Sequence, residues 1–271
     1  AISRGAMAAG RAVAGRAAQQ QLAQIQAALA RAPVQRLASE RRAVVACLLR
    51  APRPLLGGSA AVSVPPQPAD SLDVFFILRA SAEDRAAARR AAGNRRWSGQ
   101  VGFPGGHANE GESDHEAVAR ECREEVGLHL DAPGAYRFLG CVKERRASER
   151  LVVACRVYEQ LLHEVPRHMQ VGEVAACGWA PLNLLLAEDC AQPLRWSAVG
   201  GPAGAAWDGF PSVPLPVRDL QVAEGVPEVR ARAQFILWGL TLGIVNDWLR
   251  ATGLRHAPIQ LGSRSSPTSR L

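Results

Sequence analysis

The sequence predicts an α/β fold in which a mixed, curved sheet is held between helices as an α/β/α sandwich. Three observations lead there. Residues 72–78 contain VFFIL, strongly β-prone and apolar enough for a buried strand. Residues 113–128 read as an amphipathic helix with both ends signalled. Residues 136–142 and 151–158 read as two strands joined like a hairpin, and 228–250 as a closing helix. Strands and helices of this kind bury their apolar faces by layering, which lays the signalled helix on the sheet.

Taken in order, residues 1–33 are rich in Ala, Gln and Arg and carry no acid. Leu22, Ile25 and Leu29 line one face of a candidate helix there. An Arg-rich, acid-free N-terminus has the character of a mitochondrial targeting segment; the plainer reading is an Ala-rich extension or partner helix. The predicted organisation is a basic extension over 1–38, one folded domain over 39–252 and a flexible tail over 253–271. On that reading the extension is dispensable for turnover. Residues 43–49 are a short apolar strand, and 52–70, rich in Pro, Gly, Ala and Ser, a surface loop. Arg79 closes the strand at 72–78, and the charged, Ala-rich 81–92 follows as a short helix.

Residues 94–106, NRRWSGQVGFPGG, lead into the signalled helix. Gly102, Gly105 and Gly106 allow close backbone approach and Pro104 sets the turn before the last two. An arginine-bearing, glycine-lined approach to an acidic helix suits a pyrophosphate, with Arg95 and Arg96 beside it. The bland alternative is a glycine-rich turn. On the helix, Ser113 with Glu116 three residues later forms a capping box, and Gly127 suits the left-handed conformation that ends a helix. Ala117, Val118, Cys122 and Val126 supply the buried stripe. Glu121 shares a face with Glu124 and Glu125, and three stacked carboxylates repel unless a cation neutralises them. Hard oxygen ligands select Mg2+ or Mn2+, which bridge to phosphate oxygens and lower the pKa of an attacking water. A solvated acidic patch is the competing reading, and it fits Glu-Glu alone better than it fits the whole pattern.

Beyond the helix, KERRASER reads as a charged turn between the two hairpin strands. Residues 164–172 are a polar loop, 173–179 a further strand and 182–187 a short helix. Residues 192–221 scatter Trp196, Trp207 and Phe210 among prolines and glycines, as the wall of a substrate cleft would.

The formal charge of +7 is local. Residues 1–50 hold eight arginines and one acid, leaving 24 basic and 24 acidic residues in the other 221. A neutral body argues against a dedicated nucleic-acid surface. No apolar run reaches the 18 or so residues of a membrane span. Six cysteines without a C-x-x-C pair or a Cys/His cluster point to buried thiols and a reducing compartment, not to a zinc site.

Gly106, five residues, Glu112, seven residues, then Arg120-Glu121-Cys122-Arg123-Glu124-Glu125-Val126-Gly127-Leu128 resembles the Nudix box. Every fixed position matches; Cys122 stands where Ile, Leu or Val is usual. The resemblance implies a Nudix-type α/β/α sandwich and hydrolysis of a pyrophosphate bond in a nucleoside diphosphate derivative. It implies Glu121, Glu124 and Glu125 as ligands of Mg2+ or Mn2+, Glu112 as a supporting ligand and Arg120 as the group holding a neighbouring carboxylate. The segment R-W-S-G-Q-V-G-F-P-G-G, with W-G-L-T at 238–241, resembles the coenzyme A pyrophosphatase branch. That branch carries a first-strand Arg followed by Ser or Ala, here Arg79-Ala80, and a second Arg for which Arg85, Arg95 and Arg96 compete. Its substrate is CoA or acyl-CoA, cleaved to 3′,5′-ADP and the 4′-phosphopantetheine moiety. Gly105 and Gly106 are then substrate contacts beside Arg79, Arg95 and Arg96. Glu173, before W-A-P-L, resembles a carboxylate that approaches the metal from outside the box, although a strand-edge Glu is more often only solvated. Other substrates open to the family are ADP-ribose, NADH, a dinucleoside polyphosphate or capped RNA. The reading from another class is an idle Nudix fold kept as a binding module. Ser269-Arg270-Leu271 resembles a peroxisomal address, with the mitochondrial reading as its rival.

Overall fold

A computed structural model of the chain describes residues 4–31, 35–51, 71–87, 97–162, 166, 168–170, 172–199 and 208–261, with side chains from residue 17 onward. The loop expected at 52–70, Arg95, Arg96, Trp207 and the Ser269-Arg270-Leu271 tripeptide lie outside the described residues.

Strand β1 (Arg41–Arg50) runs parallel to β6 (Leu151–Gln160), in register from Arg41 opposite Leu151 to Leu49 opposite Glu159. Strand β2 (Asp73–Arg79) meets β1 only at Leu49–Val74 and Arg50–Asp73, after which the two diverge. The fork between them is filled by two short strands. β3 (Val101–Gly102) pairs with Ile77 and Leu78 of β2, and β4 (Gly105–His107) pairs with Ala43, Val44 and Val45 of β1. Phe103 and Pro104 turn between them, the Pro104 carbonyl accepting from Ala46 N–H at 2.8 Å. The predicted glycine turn is thus a wedge of sheet. Gly105 holds φ at 140°, and a Cβ there would lie 2.2 Å from the Val44 carbonyl oxygen. Only glycine lets the wedge enter.

The main sheet is completed by β5 (Tyr136–Ser148) beyond β6, and by β7 (Val174–Pro181) and β10 (Arg218–Val222) beyond β2. Successive side chains of a strand point to opposite faces, so the sheet has two cores. Val44, Ala46, Leu48, Phe75, Ile77, Tyr158 and Trp179 pack with Ala117, Val118, Cys122 and Val126 of α3 (Asp114–Val126). Cys47, Leu49, Phe76, Leu78, Cys155 and Val157 pack on the other side with α1 (Arg4–Arg31) and α6 (Gly239–Ala251). The result is the predicted mixed-sheet α/β/α sandwich. α2 (Ala82–Ala87) follows β2, and α4 (Leu182–Leu186) follows β7. A small antiparallel sheet of β8 (Gln192–Pro193), β9 (Pro211–Pro214) and β11 (Ile236–Trp238) adjoins the second core.

Four expectations are corrected in detail. KERRASER is mostly strand, since β5 pairs with β6 out to Ser148–Leu151 and leaves only Glu149 and Arg150 to turn. Its charges are tolerated because they are paired: Glu144 with Arg42, and Arg145 with Asp247 at 2.5 Å. The closing helix is broken into α5 (Glu228–Gln234), β11 and α6, because Ile236, Leu237 and Trp238 find a partner strand in β9. Tertiary pairing overrides the helical pattern there. The tail is folded through Ile259, which is buried and donates its N–H to Asn246 Oδ1 at 2.7 Å; Arg255 Nη1 reaches the Ala187 carbonyl at 2.5 Å. Residues 18–29, expected in an extension outside the domain, bury Ala18, Leu22, Ile25 and Leu29 in the second core. Gln24 Nε2 also donates to the Thr252 carbonyl at 2.9 Å.

Among the described residues no helix is long and apolar enough to cross a membrane. Packing of α1 makes a prediction. Ile25→Ala should cost about 2–4 kcal/mol, the usual range for a fully buried aliphatic truncation, in urea unfolding. Deleting residues 1–33 should destabilise the domain further. Unchanged midpoints for both would show that α1 does not hold the sheet.

Candidate active site

α3 is fixed at both ends by local chemistry. Ser113 Oγ accepts the Glu116 N–H at 3.3 Å while Glu116 Oε2 accepts the Ser113 N–H at 2.9 Å, and Gly127, at φ 67°, closes the C-terminus. A third hold was not anticipated from the sequence. Arg42 of β1 forks onto Asp114, Nε to Oδ1 at 2.6 Å and Nη2 to Oδ2 at 2.7 Å, and reaches Glu144 of β5 at 2.5 Å. Arg42 holds the Asp114 carboxyl below the usual carboxylate range. The only sequence signal for this clamp was an acid in the first helical turn.

The centre of the site is Arg120. Its Nε and Nη2 donate to the two oxygens of Glu112, both at 2.9 Å, and Nη2 also donates to the His107 carbonyl at 2.9 Å. Nη1 donates to Glu121 Oε1 at 2.9 Å and to Glu124 Oε2 at 3.2 Å. Arg120 therefore ties three carboxylates, two from its own helix and one from the loop before it. Glu112 Oε2 also takes the Asn109 N–H at 2.8 Å, and the Arg120 bond sets its pKa below the ordinary value.

The three helix carboxylates are not stacked side by side. Glu124 faces solvent, with its side chain 47% exposed. Glu121 lies against the wedge, where a Cβ on Gly106 would come within 2.5 Å of its carboxyl carbon. Glu125 is 1% exposed, under the fork. Its Oε2 accepts the Gly105 N–H at 2.8 Å and its Oε1 faces Arg79 Nη1 at 3.3 Å. Burial pushes Glu125 up to about 7, opposed by Arg79 and the Gly105 N–H and reinforced by the charges of Glu121 and Glu173. Burial also raises Glu121, opposed by Arg120, with Glu124 and Glu173 adding to the rise. Glu173 is exposed just before β7, its carbonyl accepting the Ala80 N–H at 2.8 Å, and its charge is felt by both carboxylates.

Among the described residues no three acidic, His or Cys groups already converge as metal ligands. Arg120 stands between Glu121 and Glu124, and Glu125 is turned toward Gly105. The donor set nevertheless fits a hard divalent cation. All the donors are carboxylate oxygens, and two of them are held in positions where burial and like charge disfavour ionisation.

Glu125 sets a pH dependence. Its folded value, about 7, exceeds its ordinary 4.5, so the folded state binds the proton more tightly. Its contribution is fully present below about 4.5 and is lost as pH rises through 7, on the order of 3 kcal/mol. In EDTA, urea unfolding should therefore show lower stability at pH 8 than at pH 5, and Glu125→Gln should remove most of that slope. A variant that keeps the full slope would assign it to other groups.

Residues 71–198 match the family model of the NUDIX domain. No curated protein matches the chain. Among solved structures, the chain is similar to a MutT/nudix family protein from Enterococcus faecalis, at 18% identity over 59% of this chain and 51% of that one, TM-score 0.34. It is similar also to the NUDIX domain of Shewanella oneidensis NrtR complexed with ADP ribose, at 20% identity over 57% of this chain and 81% of that one, TM-score 0.35. A third is a C. elegans Ap4A hydrolase, at 14% identity over 52% of this chain and 80% of that one, TM-score 0.33. The chain spans about half the length of the Enterococcus faecalis protein. The wedge of β3 and β4 and the capped acidic helix α3 all lie within the segment that matches the NUDIX domain model.

Proposed function

We propose that the chain hydrolyses a pyrophosphate bond in a nucleoside diphosphate derivative, with Mg2+ or Mn2+ bound by Glu121, Glu124 and Glu125. The observation that carries this reading is the pairing of a buried carboxylate, Glu125, with an arginine, Arg79, whose side chain is 28% exposed at the mouth of the fork. When bound, the cation polarises a phosphate oxygen and lowers the pKa of a water. The chain's own residues do the rest. Arg79 has one contact to Glu125 and offers its other N–H groups to a phosphate oxygen in charge-assisted bonds. Arg120 keeps Glu121 and Glu124 oriented from the side of Glu112. Gly105 and Gly106, bare of side chains, let a phosphate approach the backbone beside Glu121. Glu173, exposed outside the box, is the carboxylate free to approach from the far side.

Within that class we favour CoA or acyl-CoA, giving 3′,5′-ADP and (acyl-)4′-phosphopantetheine. Support comes from the R-W-S-G-Q-V-G-F-P-G-G and W-G-L-T segments and from the contact between them, Thr241 Oγ1 donating to the Val101 carbonyl at 3.1 Å. A panel with Mg2+ and Mn2+, products read by mass, separates the readings. A CoA site should prefer CoA to 3′-dephospho-CoA in kcat/KM by at least about tenfold, equivalent to 1.4 kcal/mol. Equal rates, or faster cleavage of ADP-ribose, NADH, a dinucleoside polyphosphate or capped RNA, would remove CoA and leave the broader hydrolase. Glu124→Gln should lower kcat by about two orders of magnitude or more with little change in thermal stability, because Glu124 is half exposed and its pair with Arg120 is a solvent-facing one. No turnover by the unmodified chain on any of these would leave the idle binding module.

A further inference from the structure

Arg85 of α2 is a buried cation, and among the described residues it has no carboxylate partner. Its Nη1 donates to the Ala80 carbonyl at 2.6 Å and its Nη2 to Ser98 Oγ at 2.9 Å. Ser98 Oγ in turn donates to the same Ala80 carbonyl at 3.3 Å. A buried charge without a counter-ion is costly, and a neutral donor could bridge a carbonyl and a hydroxyl at less expense. What it bridges explains its place. Ala80 follows Arg79, whose backbone N–H donates to the Gln100 carbonyl at 3.0 Å and whose guanidinium reaches Glu125. The Ala80 N–H donates to the Glu173 carbonyl at 2.8 Å. One side chain thus joins the end of β2, the 97–100 segment and the approach to Glu173.

α2 is itself locked. Ser81 N–H donates to Asp84 Oδ2 at 2.8 Å and Asp84 N–H to Ser81 Oγ at 3.1 Å. Arg230 of α5 pairs with Asp84 and, at 3.1 Å, with Glu83. The bracket that carries Arg85 is therefore anchored on a helix outside the matched NUDIX segment.

We propose that Arg85 is a positioning residue for the pyrophosphate hydrolysis inferred above, on which this inference rests. Both its terminal nitrogens bond within the protein and the residue is 7% exposed, which places it to hold the protein rather than a substrate phosphate. It holds Ala80 and Ser98, and through them sets where Arg79 stands against Glu125 and the substrate. Misplacement by an ångström of a group that orients a reacting phosphate costs rate more than affinity.

The test measures kcat and KM on two pyrophosphate substrates, CoA and ADP-ribose, for the unmodified chain, Arg85→Ala, Ser98→Ala, Arg79→Ala and Arg79→Ala/Arg85→Ala. Folded fraction is matched by circular dichroism well below each Tm. Arg85→Ala should lower kcat by about tenfold or more, equally on both substrates, with KM within about twofold. In the Arg79→Ala background the same change should cost no more than about twofold, because its effect is already lost. An equal loss in both backgrounds would reduce Arg85 to a structural strut, and unequal losses on the two substrates would make it a substrate contact; either overturns the proposal. If Arg85→Ala does not fold, Ser98→Ala carries the same cycle with a smaller expected loss of about threefold in kcat. An inert unmodified chain sinks the hydrolase reading and this one together, whereas an active chain indifferent to both substitutions sinks only this one.

Discussion

The Glu125 carboxylate lies under the open fork between β1 and β2, and most of the site follows from how it is kept there. A carboxylate 1% exposed needs partners, since an unpaired buried charge costs several kcal/mol. It has two: the Gly105 N–H, aimed at it because the wedge enters the fork, and the Arg79 guanidinium, which closes β2. Gly105 in turn is where it is because no Cβ fits against the Val44 carbonyl. Sheet topology, one glycine and one helix position therefore specify one another. The remaining deficit shows as the raised carboxyl of Glu125, which a divalent cation would relieve.

Arginine carries nearly all the positive charge of the chain, and the structure uses its fork geometry at both ends of the sheet. At the site, Arg120 spreads five donor contacts over Glu112, Glu121, Glu124 and the His107 carbonyl. At the far end, where β1 and β2 still pair, Arg50 bonds Asp73 at 3.2 Å and Asp219 at 2.6 Å, and stacks 4.2 Å over Trp179. Arg218 approaches the other side of Asp73, yet burial still drives its carboxyl up. The two clusters differ in purpose. The far one sutures β1, β2 and β10 around the buried Asp73, whereas the near one leaves Glu124 and part of Arg79 open to solvent beside the fork.

What was legible in the sequence is what local chemistry decides. The capping box at Ser113 and Glu116, the glycine stop at Gly127 and the apolar stripe of α3 each need only a few neighbouring residues, and all stand as expected. The fork was not legible, because the divergence of β1 and β2 depends on pairing between segments far apart in the chain. For the same reason the charged half of β5 looked like a turn: its partners, Arg42 and Asp247, are 102 residues away in each case. The side-by-side carboxylate face was half right. Helical spacing brings Glu121, Glu124 and Glu125 to one side, but whether each points to solvent, wedge or core depends on what the sheet presents there. Arg85 could be named as a candidate and not given a role, since its partners, Ala80 and Ser98, are identified only by the fold.

The family model spans residues 71–198, yet the site is braced by residues on both sides of that span. β1, which precedes it, supplies the fork and the Arg42 clamp on α3. α1 covers the second face of the sheet with Ile25 and Leu29, opposite the face that carries α3. α6, which follows it, fixes β3 through Thr241, and α5 holds the bracket of α2 through Arg230. A wedge of two short strands, two and three residues long, has little pairing of its own. Its position therefore depends on these flanking elements, and so does the aim of the Gly105 amide at Glu125. The matched segment contributes the acidic helix, and the rest of the chain contributes the rigidity that lets a buried carboxylate keep its place.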